Sequence, residues 1–194
     1  MKLSAIRRIC SKNKTIQIIR SRSESFVGNG EAFYTLGSIS GVDREALYTI
    51  FDIKESDAAK WDYSEHGGFP IDVDTEVRKE ETPLLMSGLS LNIGGKTVTP
   101  AFLHTKEKIA FLDSAYYLPV QDEKDISLAK RQTADGQAYI VILKGFSVMG
   151  IIIPDRSFLE RTDLYNAMKT TSDLLYNAML GEGYLTSEQQ SILT

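Results

Sequence analysis

Hydrophobic and polar residues alternate in short blocks through the first third of the chain. Apolar residues recur at helical spacing from Leu3 to Cys10, and Arg8 and Lys12 stand four apart on the opposite side. This pattern predicts an amphipathic first helix with a basic outer stripe. Residues 15–20 and 25–36 are rich in β-branched and aromatic side chains, which predicts antiparallel strands, the second split by a bulge or tight turn at 28–30. A second helix is predicted over 43–53.

The middle of the chain predicts further strands. Residues 56–81 are polar and punctuated by Gly and Pro, so they read as a connector with one strand where period-two alternation returns at 69–77. Residues 84–103 predict a hairpin that turns through Gly94 and Gly95. A strand and a short helix capped by Asp113 or Ser114 follow. After the polar residues 122–137, the stretches 138–143 and 146–153 predict the two most buried strands.

The last segment predicts a long helix. Ser157 and Glu160 have the spacing of a capping box, and the helix is expected to run to about Leu180. Within it LYNAM occurs twice, at 164–168 and 175–179, nearly in phase on one face. One interpretation is a core-facing stripe. The other is a docking or self-association surface, and its candidate interface residues are Tyr165, Met168, Tyr176 and Met179.

Together these elements predict an α+β fold of antiparallel sheets with about four helices. We expect a body over residues 1–156 and a C-terminal helix and tail over 157–194, packed on that body or extending from it.

Composition changes this picture little. The chain has 194 residues, 42% of them hydrophobic and 25% charged, the balance of a globular protein. No apolar run approaches the roughly 20 residues that a membrane helix needs, and the N-terminus lacks the apolar core of a secretory signal. The single cysteine, Cys10, excludes an internal disulfide. We therefore expect a cytoplasmic protein that does not contact a membrane.

Charge distribution gives the sharpest clue. The net charge is −4, yet residues 1–22 carry seven Lys and Arg and no Asp or Glu. Such an end would attract a polyanion while the acidic remainder repels it. The candidate DNA-binding residues are Arg7, Arg8, Lys12 and Lys14. The alternative is an ordinary solvated helix with chance clustering.

Candidate catalytic chemistry is sparse. His66 and His104 have no motif partners, and Cys10 lies between apolar helix positions, which favours a core residue over a nucleophile. Asp72, Asp74 and Glu76 alternate along the predicted strand and could hold Mg²⁺ or Mn²⁺, but the solvated face of a half-buried strand has the same pattern. We predict no catalytic residue, no metal site and no cofactor.

The short helix at FLDSAYYLPVQD, followed by the hairpin AYIVILKGFSVMGIIIPD, resembles the end of a bacterial DNA polymerase sliding-clamp domain. The whole chain looks like a phage- or prophage-encoded protein with a clamp-like fold. In that family helices present Lys and Arg to DNA phosphates, and the matching positions here are those of the first helix. The second helix departs from the pattern, because Asp43, Glu45 and Asp52 outweigh Arg44. The chain is also shorter than a three-domain clamp subunit, so a closed ring would require self-association.

The function that these observations predict is non-enzymatic. It is a DNA-associated processivity or replication accessory factor that binds the DNA backbone without sequence preference, with DNA, a second copy or a replication protein as partner. Two alternatives remain: a protein-binding accessory or regulatory module that acts through the C-terminal helix, and a carboxylate-metal enzyme.

Overall fold

A computed structural model describes residues 1–21, 24–37, 41–87, 89–93, 95–103 and 109–154, together with Asn166 and Thr170. The chain divides into two compact units, Met1–Leu159 and Glu160–Thr194. In the second unit Asn166 and Thr170 are helical, and the Thr170 hydroxyl donates to the Asn166 carbonyl at 2.9 Å. The rest of the predicted C-terminal helix, with all four of its candidate interface residues, lies outside the described residues, as does His104.

Three α-helices and a short 3₁₀ helix lie within the described part of the first unit. The α-helices are α1 (Leu3–Asn13), α2 (Arg44–Ile50) and α3 (Glu55–Ala58), and the 3₁₀ helix is Ser114–Tyr116. Asp43 caps α2 by accepting from the Ala46 N–H, and Asp113 caps the 3₁₀ helix by accepting from the Ala115 N–H. The predicted first and second helices and the predicted short helix are confirmed.

Eleven strands of the described residues form one sheet. They are β1 (Thr15–Arg20), β2 (Ser25–Gly28), β3 (Ala32–Thr35), β4 (Asp62–His66), β5 (Thr82–Met86), β6 (Leu91–Ile93), β7 (Lys96–Leu103), β8 (Ile109–Asp113), β9 (Ile126–Gln132), β10 (Ala138–Lys144) and β11 (Ser147–Ile152). Their order is β4-β1-β2-β3-β11-β10-β9-β5-β7-β6, and β8 also pairs with β7. Every pairing among these strands is antiparallel except that of β1 with β4, so the α+β class is confirmed.

The predicted split of residues 25–36 is confirmed, and Gly28 shows why it occurs there. A Cβ atom at this position would overlap the carbonyl oxygen of Ala32, so the turn between β2 and β3 closes only over a glycine. The side chain of Asn29 closes the same turn by accepting from the N–H groups of Glu31 and Ala32, at 3.1 and 3.0 Å.

Both faces of the sheet are buried at its central strands. Along β10 the side chains alternate, with Ile140 and Ile142 in one core cluster and Tyr139, Val141 and Leu143 in the other. The first cluster includes residues of α1, α2 and the 3₁₀ helix. Against the second cluster pack Phe69, Ile71 and Val73 of an irregular segment, residues 67–81, which we call the strap.

The strap corrects one prediction. Residues 69–77 contain no strand, and the strand of this region is β4, which precedes them. Alternation of apolar residues arises here because every second side chain packs on the sheet, while Gly67, Gly68 and Pro70 disfavour a regular ladder. The structure also contains a strand that the sequence pattern did not predict: β9 lies within the polar residues 122–137 and pairs with both β10 and β5.

Candidate nucleic-acid interface

Helix α1 is fixed on the sheet by one apolar side. Ile6, Ile9 and Cys10 are fully or almost fully buried in the first core cluster. Burial also raises the pKa of the Cys10 thiol to about 12, which keeps it protonated and unreactive and agrees with the predicted core role. Lys14 ends the helix in the left-handed conformation, with φ of 54°, and β1 begins at the next residue. The opposite side of α1 must therefore face outward.

The outward side of α1 carries cations and hydroxyl groups. Ser4, Arg8, Ser11 and Lys12 are exposed, and the helical spacing places them side by side. No acidic residue occurs in the helix sequence LSAIRRICSKN. Lysine, arginine and serine are among the side chains that contact nucleic-acid phosphates most often. This surface, which we call the α1 face, consists of these four residues and Lys14.

The predicted DNA-binding residues differ in what they contact. The Arg7 guanidinium lies 3.4 Å from the Asp52 carboxylate, at the end of α2, and Lys12 lies 3.4 Å from the Asp113 carboxylate. The ammonium nitrogen of Lys14 lies 5.9 Å from the centre of the Trp61 ring, in a cation–π contact. Arg8 is exposed and has no ion pair with any residue in the described ranges. Thus Arg8 and Lys12 share the outward side of α1, Lys14 contacts Trp61 at the helix end, and Arg7 contacts Asp52 beyond the end of α2.

Acidic residues from distant parts of the chain offset much of the N-terminal charge. Lys2 pairs with Asp122, the terminal amino group pairs with Glu123, and Arg20 binds Glu65 at 2.8 Å. The formal charge of the segment therefore overstates its field. The Lys2 and Arg20 pairs are exposed and contribute only about 0 to 1 kcal/mol each, so phosphates can compete for these two cations, whereas the pair of the terminal amino group is largely buried.

Asp72, Asp74 and Glu76 are the three carboxylates that the sequence suggested as a possible metal site, and Asp74 contacts other groups of the protein. Asp74 accepts hydrogen bonds from the Arg78 Nε and from the Glu76 N–H, both at 2.9 Å, and the Arg131 guanidinium lies 3.9 Å away. The described residues contain no group of three or more His, Cys, Asp or Glu arranged to hold a metal ion. Asp72, Asp74 and Glu76 do not share a strand face, because they lie in the strap.

Arg131 is the charged residue that sequence reasoning missed. Its side chain is 1% exposed, and it binds the Glu81 carboxylate through both Nε and an Nη atom. It also donates to the carbonyls of Asp74 and Glu76, at 2.6 and 2.7 Å. A single arginine in a polar stretch gives no sequence signal of burial. Its partners show that it holds the strap against β9.

Of the two histidines, His66 lies within the described ranges. It is exposed in β4, where its Nε2 is 2.9 Å from the Ser64 hydroxyl. This contact is local and involves no acid or metal ligand.

Comparison of the chain with protein-family models, curated proteins and solved structures gives no match. The clamp-like resemblance therefore stays a prediction. No helix in the described ranges is long and apolar enough to cross a membrane.

Proposed function

We propose that the protein associates with the backbone of nucleic acid, without sequence preference, through the α1 face. The observation that carries the proposal is an exposed helix side with Arg8 and Lys12 one turn apart, Lys14 at the helix end, the hydroxyls of Ser4 and Ser11 beside them and no acid in the helix. Contacts of this type attract any phosphate chain and read no bases. The narrower role in DNA replication rests on the resemblance alone and stays a prediction.

The geometry of the ion pairs supports this proposal. Lys12 and its partner Asp113 are separated by 3.4 Å, and the lysine side chain is 57% exposed. Asp113 itself is only 13% exposed, but its distance from the ammonium is long for an ion pair and the Asp113 carboxylate also accepts from the Ala115 N–H. The lysine can therefore turn to a phosphate without leaving Asp113 unpartnered. Arg8 forms no ion pair with the described residues, so it breaks no such contact when it binds a phosphate. We expect Arg8 to contribute more to binding than Lys12.

The experiment is charge reversal in the full chain. Arg8→Glu combined with Lys12→Glu should weaken binding of a fluorescent DNA duplex at low salt by roughly tenfold or more. The matched control is Lys79→Glu combined with Lys124→Glu, two exposed lysines outside α1 whose reversal changes the net charge equally. We expect the control to bind within about twofold of the parent. No binding by the parent, or equal losses in both variants, contradicts the proposal.

A further inference from the structure

Strand β4 lies at one end of the strand order, and its sequence is Asp62, Tyr63, Ser64, Glu65 and His66. On one side it pairs in parallel with β1, with Ile16 opposite Tyr63 and Ile18 opposite Glu65. Within the described ranges no strand pairs with its other side. An edge of this kind presents backbone donors and acceptors that another strand can use.

The backbone groups that point outward can be identified. The N–H of Asp62 donates to the carbonyl of Lys14, at 2.9 Å, so the backbone groups of Asp62 point toward β1. Successive residues of a strand direct these groups to alternate edges. The N–H and C=O groups of Tyr63 and Glu65 therefore point away from the sheet. They form a set of two donors and two acceptors.

We propose that β4 pairs with β4 of a second copy of this chain, antiparallel, about a two-fold axis at Ser64. In this register Tyr63 lies opposite Glu65 of the second copy. The outward groups of both residues then form four N–H···O=C bonds between the chains. Ser64 lies opposite its own counterpart, in the more closely spaced type of pair that forms no backbone bonds. The surface is self-complementary, as a two-fold interface must be.

The side chains that face each other favour a second copy in this register. Asp62 lies opposite His66 of the second copy, so a carboxylate faces an imidazole on each side of the axis. Moving the axis by one residue to Glu65 would place two carboxylates opposite each other, which is destabilising. The paired segment is only five residues long. We therefore expect a weak, reversible dimer.

Disulfide trapping tests the register directly. Opposite residues in this type of antiparallel pair have Cα atoms about 4.5 Å apart, within the range of about 4.4 to 6.8 Å that a disulfide allows. Oxidised glutathione should therefore convert Ser64→Cys to a covalent dimer. The control is Asp62→Cys, because in the proposed register the two copies of residue 62 lie roughly 13 Å apart. Cys10 is buried and does not compete.

A second pair of variants tests the backbone bonds without any crosslink. Glu65→Pro removes an outward N–H and leaves the bonds to β1 intact, whereas Glu65→Ala removes the same carboxylate and keeps the N–H. Sedimentation velocity over rising concentration should show association for the parent and for Glu65→Ala, and none for Glu65→Pro. A parent that stays monomeric, or equal trapping of the cysteines at 64 and 62, overturns the proposal. Neither result bears on DNA binding, which uses the α1 face.

Discussion

Helix α1 and the strap both pair basic side chains with carboxylates, but in different surroundings. On α1, Arg7 and Lys12 each contact one acid at 3.4 Å, and both basic side chains are about half exposed to water. Under the strap, Arg131 is buried and bonds to one carboxylate and two carbonyls. Water screens the first kind of pair, while removal of one member from the second leaves an uncompensated buried charge. The first set of cations is therefore available to a ligand, and Arg131 serves the fold.

Arg131→Met gives the largest expected effect. It removes every hydrogen bond between the guanidinium and the strap and leaves Glu81 facing an apolar neighbour. We expect the free energy of unfolding to fall by about 3 to 5 kcal/mol in urea denaturation. Arg78→Met is the matched control, because Arg78 also lies in the strap but pairs with Asp74 at an exposed position. We expect the control to lose less than about 1 kcal/mol. Similar losses in both variants would show that burial of Arg131 has no special role.

Low pH should weaken the attachment of the strap to β9 and so lower the stability of the protein. Glu81→Gln should make this loss of stability at low pH smaller. Burial acts to raise the pKa of Glu81, but the hydrogen bond and charge of Arg131 outweigh it, so this pKa lies below its ordinary value. A carboxylate with a lowered pKa stabilises the folded state above its unfolded pKa, and the contribution disappears as pH falls through the folded pKa. The parent should therefore lose stability below about pH 4.3, the usual value for glutamate, more steeply than Glu81→Gln.

Thermal unfolding of both proteins between pH 7 and pH 3 measures this difference. We expect the difference in melting temperature between the two proteins to shrink toward pH 3. Parallel loss of stability over the whole range would mean that Glu81 is not coupled to Arg131.

Asp52→Asn gives the smallest expected effect on stability. The Arg7–Asp52 pair is exposed, and asparagine tolerates the positive φ of 52° at this position, so the free energy of unfolding should change by no more than about 0.5 kcal/mol. DNA binding should nevertheless become tighter, because Arg7 loses its acid and a negative charge beside α1 disappears. If urea denaturation shows that the free energy of unfolding falls by more than about 1 kcal/mol, the Arg7–Asp52 pair behaves like the buried Arg131–Glu81 pair instead of an exposed one.

The sheet has one side that helices cover and one side that the strap covers. Sequence periodicity predicted the elements on the helix side better than those on the strap side. The helical spacing of Ile6, Ile9 and Cys10 is a local signal, and so are the caps at Asp43 and Asp113. The strap follows no backbone period, and its alternating apolar residues imitate a strand. β9 escaped prediction because the buried Arg131 counts as a polar residue in any pattern.

The candidate nucleic-acid interface also has one part that the sequence predicts and one part that only the tertiary fold determines. The exposure of Arg8 and Lys12 follows from their position opposite the apolar stripe of α1, so the sequence suffices to predict it. The contacts of Arg7 with Asp52 and of Lys12 with Asp113 join residues 45 and 101 positions apart in the chain. Only the tertiary fold determines such pairs, because no local rule links positions so far apart.

The salt dependence of DNA binding tests most directly whether the α1 face binds phosphates. Three phosphate contacts, by Arg8, Lys12 and Lys14, should give a slope of log K against log salt concentration of about −2.7. Arg8→Ala should reduce that slope by about one and weaken binding to every DNA sequence alike. An unchanged slope in Arg8→Ala, or binding that is indifferent to salt in the parent, would contradict the account.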